Sequence, residues 1–264
     1  MTDRSSWLAR QRTRANPRMR LLCLPYAGGG SAIYRGYGER VPADVEVWVA
    51  QLPGREKRFG EPALTSVDAI ADNLAAALLA PQCEFLSLPY AFFGHSLGAL
   101  VGFELVRRLR DAGIAPPARL FASAHRAPQL PDPDPPIHGL PDAEFAEELR
   151  TLNGTPAEVF ESPELLELVL PMLRADFTAA ETYAYRDAAP LACPITVFGG
   201  RDDHWIGPDA LDAWREQTAA ECRVQIFDGD HFFIHSAQQA LLSELERELE
   251  QLLGAALRAG RSSC

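Results

Sequence analysis

The segment Gly94-His95-Ser96-Leu97-Gly98 sets a hydroxyl between two glycines, and its flanks give the pattern meaning. Before it, Pro89–Phe93 is a β-rich apolar run. After it, Leu97–Arg110 is amphipathic at helical spacing. A serine at such a strand-to-helix elbow is driven into a strained backbone with no room on either side, and glycines supply the room because they lack a Cβ. The hydroxyl is lifted clear of the sheet, and the N-terminal N–H groups of the next helix face whatever sits above it. The chemistry this prepares is nucleophilic attack on a carbonyl carbon.

A serine nucleophile needs a base, and the base needs an orienting carboxylate; one known chain order for the three is Ser, Asp, His. Pro194–Phe198 reads as a strand running into Gly199-Gly200-Arg201-Asp202-Asp203-His204. Asp202, the first acid after that strand, is expected to orient the base, with Asp203 its competitor. Cys222–Phe227 reads as the last strand, and after the turn Asp228-Gly229-Asp230 comes His231, the expected base. His235 is the serious rival. His95 lies inside the elbow and should point away from the target of Ser96, and His204 is too near Asp202 in sequence to face it across a site.

An oxyanion hole is expected from the backbone N–H of Leu97 and a second N–H in Leu24-Pro25-Tyr26-Ala27-Gly28-Gly29-Gly30-Ser31, at Ala27 or its neighbours. A phosphate-cradling reading of these glycines fails: no Gly-Lys-Ser/Thr follows them, and the spacing does not give Gly-x-Gly-x-x-Gly. No H-x-x-E-H or clustered Cys/His ligand set is present, so the expectation is no metal and no cofactor.

To hold these residues the chain alternates short β-rich runs with helical stretches. The runs are Met19–Pro25, Val45–Leu52, Pro89–Phe93, Arg119–Ala124, Pro194–Phe198 and Cys222–Phe227, mostly continuous apolar segments as in strands covered on both faces. Helices are expected over Ser66–Leu79, with Ser66 as N-cap, over Leu97–Arg110, Pro208–Ala219 and Ala237–Leu257. The fold class is α/β, a mostly parallel doubly wound sheet. Residues 128–190 break the rhythm: a proline-rich start, then helices around Asp142–Leu152 and Pro163–Tyr185. They are read as an inserted helical lid over the nucleophile, the alternative being a packing subdomain that never moves. The expected organisation is a basic N-terminal extension over 1–17, a core of 18–127 and 191–257, and the lid over 128–190.

The chain has 264 residues, 47% of them apolar and 23% charged, enough to bury a core without disulfide or metal. Its five cysteines, Cys23, Cys83, Cys193, Cys222 and Cys264, are odd in number and form no C-x-x-C pair, as in reduced cytoplasmic proteins. A net charge of −11 disfavours nucleic-acid binding. No run of apolar residues is long enough to span a membrane. Arg4, Arg10, Arg12, Arg14, Arg18 and Arg20 crowd the N-terminus, with Asp3 the one acid before Glu39. They read as a solvated basic tail, or as a docking arm for an acidic partner.

The chain resembles the type II (editing) thioesterases of polyketide and nonribosomal peptide synthesis, within the α/β-hydrolase superfamily. The segments that carry the resemblance are Leu24-Pro-Tyr-Ala-Gly-Gly29, Gln51-Leu-Pro-Gly-Arg-Glu56, Phe93-Gly-His-Ser-Leu-Gly98, Leu170-Pro-Met-Leu-Arg-Ala-Asp-Phe177, Pro194-Ile-Thr-Val-Phe-Gly-Gly200 and Gly229-Asp-His-Phe232. Two of them, Pro53-Gly-Arg-Glu56 and Leu173-Arg-Ala-Asp-Phe177, are not needed for the catalytic argument and separate this family from generic esterases. The resemblance implies an α/β-hydrolase fold and hydrolysis of acyl groups from the phosphopantetheine arm of acyl or peptidyl carrier proteins. It gives Ser96, Asp202 and His231 the triad roles and Ala27 and Leu97 the oxyanion roles, in a cytoplasmic monomer. Cys23 departs from the phenylalanine often found before Pro-Tyr-Ala-Gly-Gly. Arg55, Arg58, Arg174 and Arg186 are candidate contacts to an acidic carrier, but each taken singly reads first as a surface or structural arginine. Three other functions stay open: a carboxylesterase or lipase acting on small oxygen esters, a product-releasing thioesterase, and a binding module with a relic elbow. Product-releasing enzymes are usually fused to a synthase, and a chain that starts at Met1 with no carrier segment speaks against that role.

Overall fold

The computed structural model describes residues 7–261 of the chain. Arg4 and Cys264 lie outside the described residues. Seven strands form one sheet: β1 (Leu8–Arg10), β2 (Met19–Leu24), β3 (Val45–Ala50), β4 (Tyr90–His95), β5 (Arg119–Ser123), β6 (Ile195–Gly200) and β7 (Cys222–Phe227). Their order across the sheet is β1-β3-β2-β4-β5-β6-β7, all parallel except β1, which runs antiparallel to β3. The nine helices of the described residues are α1 (Tyr37–Arg40), α2 (Val67–Leu78), α3 (Leu97–Asp111), α4 (Asp142–Thr151), α5 (Ala157–Glu161), α6 (Pro163–Glu181), α7 (Pro208–Asp212), α8 (Phe233–Ser236) and α9 (Gln238–Arg261). This is the α/β-hydrolase arrangement.

Strands β2 to β6 are buried on both faces, and alternate residues feed two separate cores. Leu22, Phe92, Leu120 and Val197 point to the side covered by α2 and α3. Leu21, Phe93, Phe121 and Phe198 point to the side covered by α1, α8 and α9, where Leu241, Leu245 and Leu249 pack. Ser66 caps α2 through its hydroxyl, which accepts Ala69 N–H. Between β5 and β6, helices α4 to α6 enclose a third, smaller core built on Phe145, Leu149, Leu170 and Leu173. The parallel register brings Leu24, His95, Ser123 and Gly200 to one edge of the sheet, the carboxyl edge where ligands bind in such folds.

Two expectations are corrected here. The helix expected over Pro208–Ala219 stops at Asp212 and tightens into a 3-10 turn over Ala213–Gln217, drawn down by the wholly buried Trp214. The N-terminus is not a free basic tail from residue 7 onward. Trp7 is 4% exposed, with the Arg58 guanidinium 4.2 Å from its ring centroid, and Leu8–Arg10 pairs with β3. Arg10 lies over the Trp48 ring and Arg14 donates to the Gly38 carbonyl. Two aromatic rings thus supply the cation–π and apolar contact that turns an arginine-rich segment into an edge strand.

Candidate active site

The elbow is built as its sequence requires. Ser96 has φ 53° and ψ −120°, and its N–H donates to the Ser123 carbonyl at 2.7 Å. A Cβ on Gly94 would lie 2.1 Å from the Gly98 carbonyl oxygen, and one on Gly98 2.1 Å from that of Leu24. Both contacts are with backbone that cannot move aside, so both glycines are obligatory. Leu97 opens α3, and its N–H faces the carboxyl edge of the sheet with no hydrogen-bond partner among the described residues.

His231 follows β7 and its turn. Its Nδ1 meets Oδ2 of Asp203 at 2.8 Å, and the Asp203 side chain is 1% exposed. A carboxylate only accepts, so Nδ1 carries the hydrogen and Nε2 is left with a lone pair. The other Asp203 oxygen accepts the N–H groups of Trp205 and Ile206 at 3.0 and 3.1 Å, which fixes the carboxylate in place. Asp203, and not Asp202, is therefore the acid against the imidazole. The reason is backbone pairing. Strand β6 runs to Gly200, two residues beyond Phe198, and Arg201 and Asp202 continue the pairing by donating to Phe227 and Gly229 carbonyls. That extension leaves the Asp202 side chain exposed and turns the next residue inward.

The rival histidines have other partners. His235 is bonded through Nε2 to the Tyr26 hydroxyl at 2.8 Å. His204 is exposed and makes no hydrogen bond among the described residues. His95 is wholly buried, with Nδ1 2.9 Å from Ser123 Oγ and Nε2 3.0 Å from the His231 carbonyl oxygen. The carbonyl must accept, so Nε2–H donates and Nδ1 accepts the serine proton. Burial pushes the His95 pKa well below its ordinary value, keeping the ring neutral. His95 is thus a strut between the elbow, the end of β5 and the loop that carries His231.

The glycine loop after β2 lies beside the elbow. Gly28 N–H donates to Asp176 on α6 at 2.7 Å and Gly29 N–H to the Tyr26 carbonyl at 2.9 Å, whereas Ala27 N–H has no partner among the described residues. Trp205 stands edge-on to the His231 ring at 5.5 Å. From above, the turn between α4 and α5 rests on Phe232: a Cβ on Gly154 would lie 2.3 Å from that ring. The helical insertion thus touches Phe232, the residue that follows His231.

The arginines considered for partner contact are mostly spent within the molecule. Arg55 is 7% exposed and pairs with Asp176. Arg58 is 4% exposed and grips Glu61 and the Gln51 carbonyl. Arg174 binds the Leu140 carbonyl and Asp142, over the Phe145 ring. Arg186, bonded to Asp68, is the one whose side chain stays largely exposed, at 57%. The roles of His95 and Asp176, and the partner of Arg55, were not drawn from the residues alone. The signal for two of them was present: Arg55 and Asp176 sit in the two segments that catalysis at Ser96 does not require. Among the described residues no cluster of His, Cys, Asp and Glu has metal-binding geometry, and no helix is long and apolar enough to cross a membrane.

Comparison with known proteins gives a family match over nearly the whole chain: the model described as "Thioesterase domain" matches residues 19–249. The chain is similar to a protein named linear gramicidin dehydrogenase LgrE, from Brevibacillus parabrevis, 46% identical over 252 residues that cover 94% of each. It is similar to gramicidin S biosynthesis protein GrsT from Aneurinibacillus migulanus, 39% identical across 94% of this chain and 96% of that one. Among solved structures it is similar to the type II thioesterase BorB from the borrelidin biosynthetic cluster, at 36% identity and a TM-score of 0.81, covering 96% of this chain and 99% of that one.

Proposed function

This chain belongs to the Thioesterase domain family, and we propose that it hydrolyses acyl groups from the phosphopantetheine thiol of carrier proteins, clearing stalled or aberrant chains during polyketide or nonribosomal peptide assembly. The observation that carries this reading is the Asp203–His231 pair, fixed at 2.8 Å at the sheet edge that also presents the strained Ser96. The biosynthetic roles in the names of GrsT and BorB support the substrate class. The word dehydrogenase in the name of the Brevibacillus relative is not carried over, because Gly28-Gly29-Gly30 lacks dinucleotide-binding spacing and the Gly28 N–H is already engaged by Asp176.

In this reading Ser96 Oγ attacks the thioester carbonyl carbon while His231 Nε2 takes its proton. Asp203 holds the imidazole and stabilises the imidazolium. The N–H groups of Ala27 and Leu97 receive the oxyanion. His231 returns its proton to the departing thiol, whose pKa of about 8.5 makes it a better leaving group than an amine. Water, deprotonated by the same imidazole, then attacks the acyl-serine, and the acid leaves as Ser96 regains its proton. The insertion over residues 128–190 acts as the lid. The described cysteines are all unpaired, which is in keeping with a reducing cytoplasm.

The test is intact-mass analysis of a panel of acyl-loaded carrier proteins after incubation with wild type and with Ser96→Ala. Acyl mass is expected to be lost with wild type only, with turnover of the variant lower by on the order of 10⁶. Faster cleavage of a matched oxygen ester than of the carrier thioester would replace the substrate class with that of an esterase.

A further inference from the structure

The Pro53-Gly-Arg-Glu56 segment and the Leu173-Arg-Ala-Asp-Phe177 stretch of α6 take no part in proton transfer, yet both close on the glycine loop. Arg55 and Asp176 are joined by two parallel bonds, NH1 to Oδ2 and NH2 to Oδ1, each 2.7 Å, with the side chains 7% and 1% exposed. The same Oδ2 accepts the Gly28 N–H at 2.7 Å, and Arg55 NH1 also donates to the Gly29 carbonyl at 2.9 Å. The neighbouring Glu56 accepts the Ala32 N–H at 3.0 Å. Leu173, one turn earlier on α6, sits where a Cβ on Gly28 would come within 2.4 Å, and Gly28 has φ +80°. One buried ion pair therefore grips the Ala27–Gly28 and Gly29–Gly30 peptide groups of the loop and ties them to the lid helix.

We propose that Asp176 and Arg55 are positioning residues of the oxyanion hole. Asp176 draws the Gly28 N–H away from the site, and Arg55 holds the Gly29 carbonyl. Together they fix the loop just after Ala27 so that the Ala27 N–H faces the carbonyl oxygen of the substrate. Their charges must come as a pair. A lone carboxylate one residue from a developing oxyanion opposes it, and Arg55 cancels that field. The second half of α6 is thus part of the catalytic apparatus as well as a cover. This inference rests on the acyl-transfer reading of Ser96.

The test uses the full chain with three readouts: kcat and KM on an acyl-carrier thioester, affinity for an acyl boronic acid that forms a tetrahedral adduct with Ser96, and the folded fraction by circular dichroism. Asp176→Asn is expected to lower kcat on the order of 10²-fold with KM little changed, and to weaken the boronate by a similar factor. Arg55→Gln is expected to lose more, because it leaves the carboxylate alone, and the double variant R55Q/D176N to recover part of that loss. Where Asp176→Asn does not fold, Arg55→Lys decides by the same readouts, since it keeps the cation and loses the bidentate grip. A folded Asp176→Asn with wild-type kcat and boronate affinity overturns the inference, and so does a kcat loss that only follows the folded fraction. Both outcomes presuppose a wild type that cleaves the thioester; a wild type that does not cleave it overturns the proposed function instead.

Discussion

At the scale of single residues, the assignment of the orienting acid turns on one backbone step. Asp203 Oδ2 faces His231 Nδ1, while Asp202 faces solvent. Asp203→Asn is therefore expected to lower kcat by about 10⁴-fold, because an amide can hold the wrong tautomer of the imidazole. Asp202→Asn should leave kcat near wild type. Steady-state hydrolysis by the two variants checks this, and a large loss at Asp202 with none at Asp203 reverses the assignment. Ser96, His231 and the glycines were legible because strand, turn and helix signals surround each of them in a few residues. The choice between two adjacent aspartates was not, since it depends on how far β6 and β7 stay paired, a matter of register between segments. The partner of Arg55 was hidden for a related reason: the carboxylate that buries it lies 121 residues away.

At the scale of elements, the buried parallel strands were read to within two residues at either end, because continuous apolar runs mark strands covered on both faces. Strand β1 escaped notice. It has three residues, and its support comes from Trp48 and Arg58, distant in sequence. Helix α6 holds the most informative contrast. Its second half is tied down by Asp176 to Arg55, by Glu181 to the N–H groups of Ile137 and His138, and just beyond it by the Tyr183 hydroxyl to Glu104. Its first half leaves Leu165 and Leu168 about half exposed. Pro171 stands between them, and with no N–H it breaks the hydrogen-bond ladder there. Opening of the cover should therefore bend at Pro171 and move residues 157–170 while 172–181 stay seated. Hydrogen exchange read by mass spectrometry is expected to show fast exchange in the first segment and slow exchange in the second. Equal protection of the two halves contradicts a hinge at Pro171.

At the scale of the whole molecule, two neutral histidines make stability depend on pH. Burial drives the pKa of His95 well below the ordinary 6.5 and that of His125 down to about 4. The unfolded chain binds protons at these sites below pH 6.5, and the folded chain does not. Stability is thus fully present above pH 6.5 and falls as the pH drops toward 4, by up to about 1.4 kcal/mol per pH unit for each ring. Thermal unfolding between pH 7.5 and 4.5 should show a falling Tm, and His125→Gln should flatten part of the slope. A variant with an unchanged slope removes His125 from the account. The elbow exerts a different pull on the same balance. Left-handed backbone at a residue with a side chain costs on the order of 1–3 kcal/mol, and Ser96 sits at φ 53°. The molecule therefore keeps its reactive oxygen at a position where durability alone would favour glycine, so the readiness to react and the capacity to endure heat oppose each other at a single peptide unit.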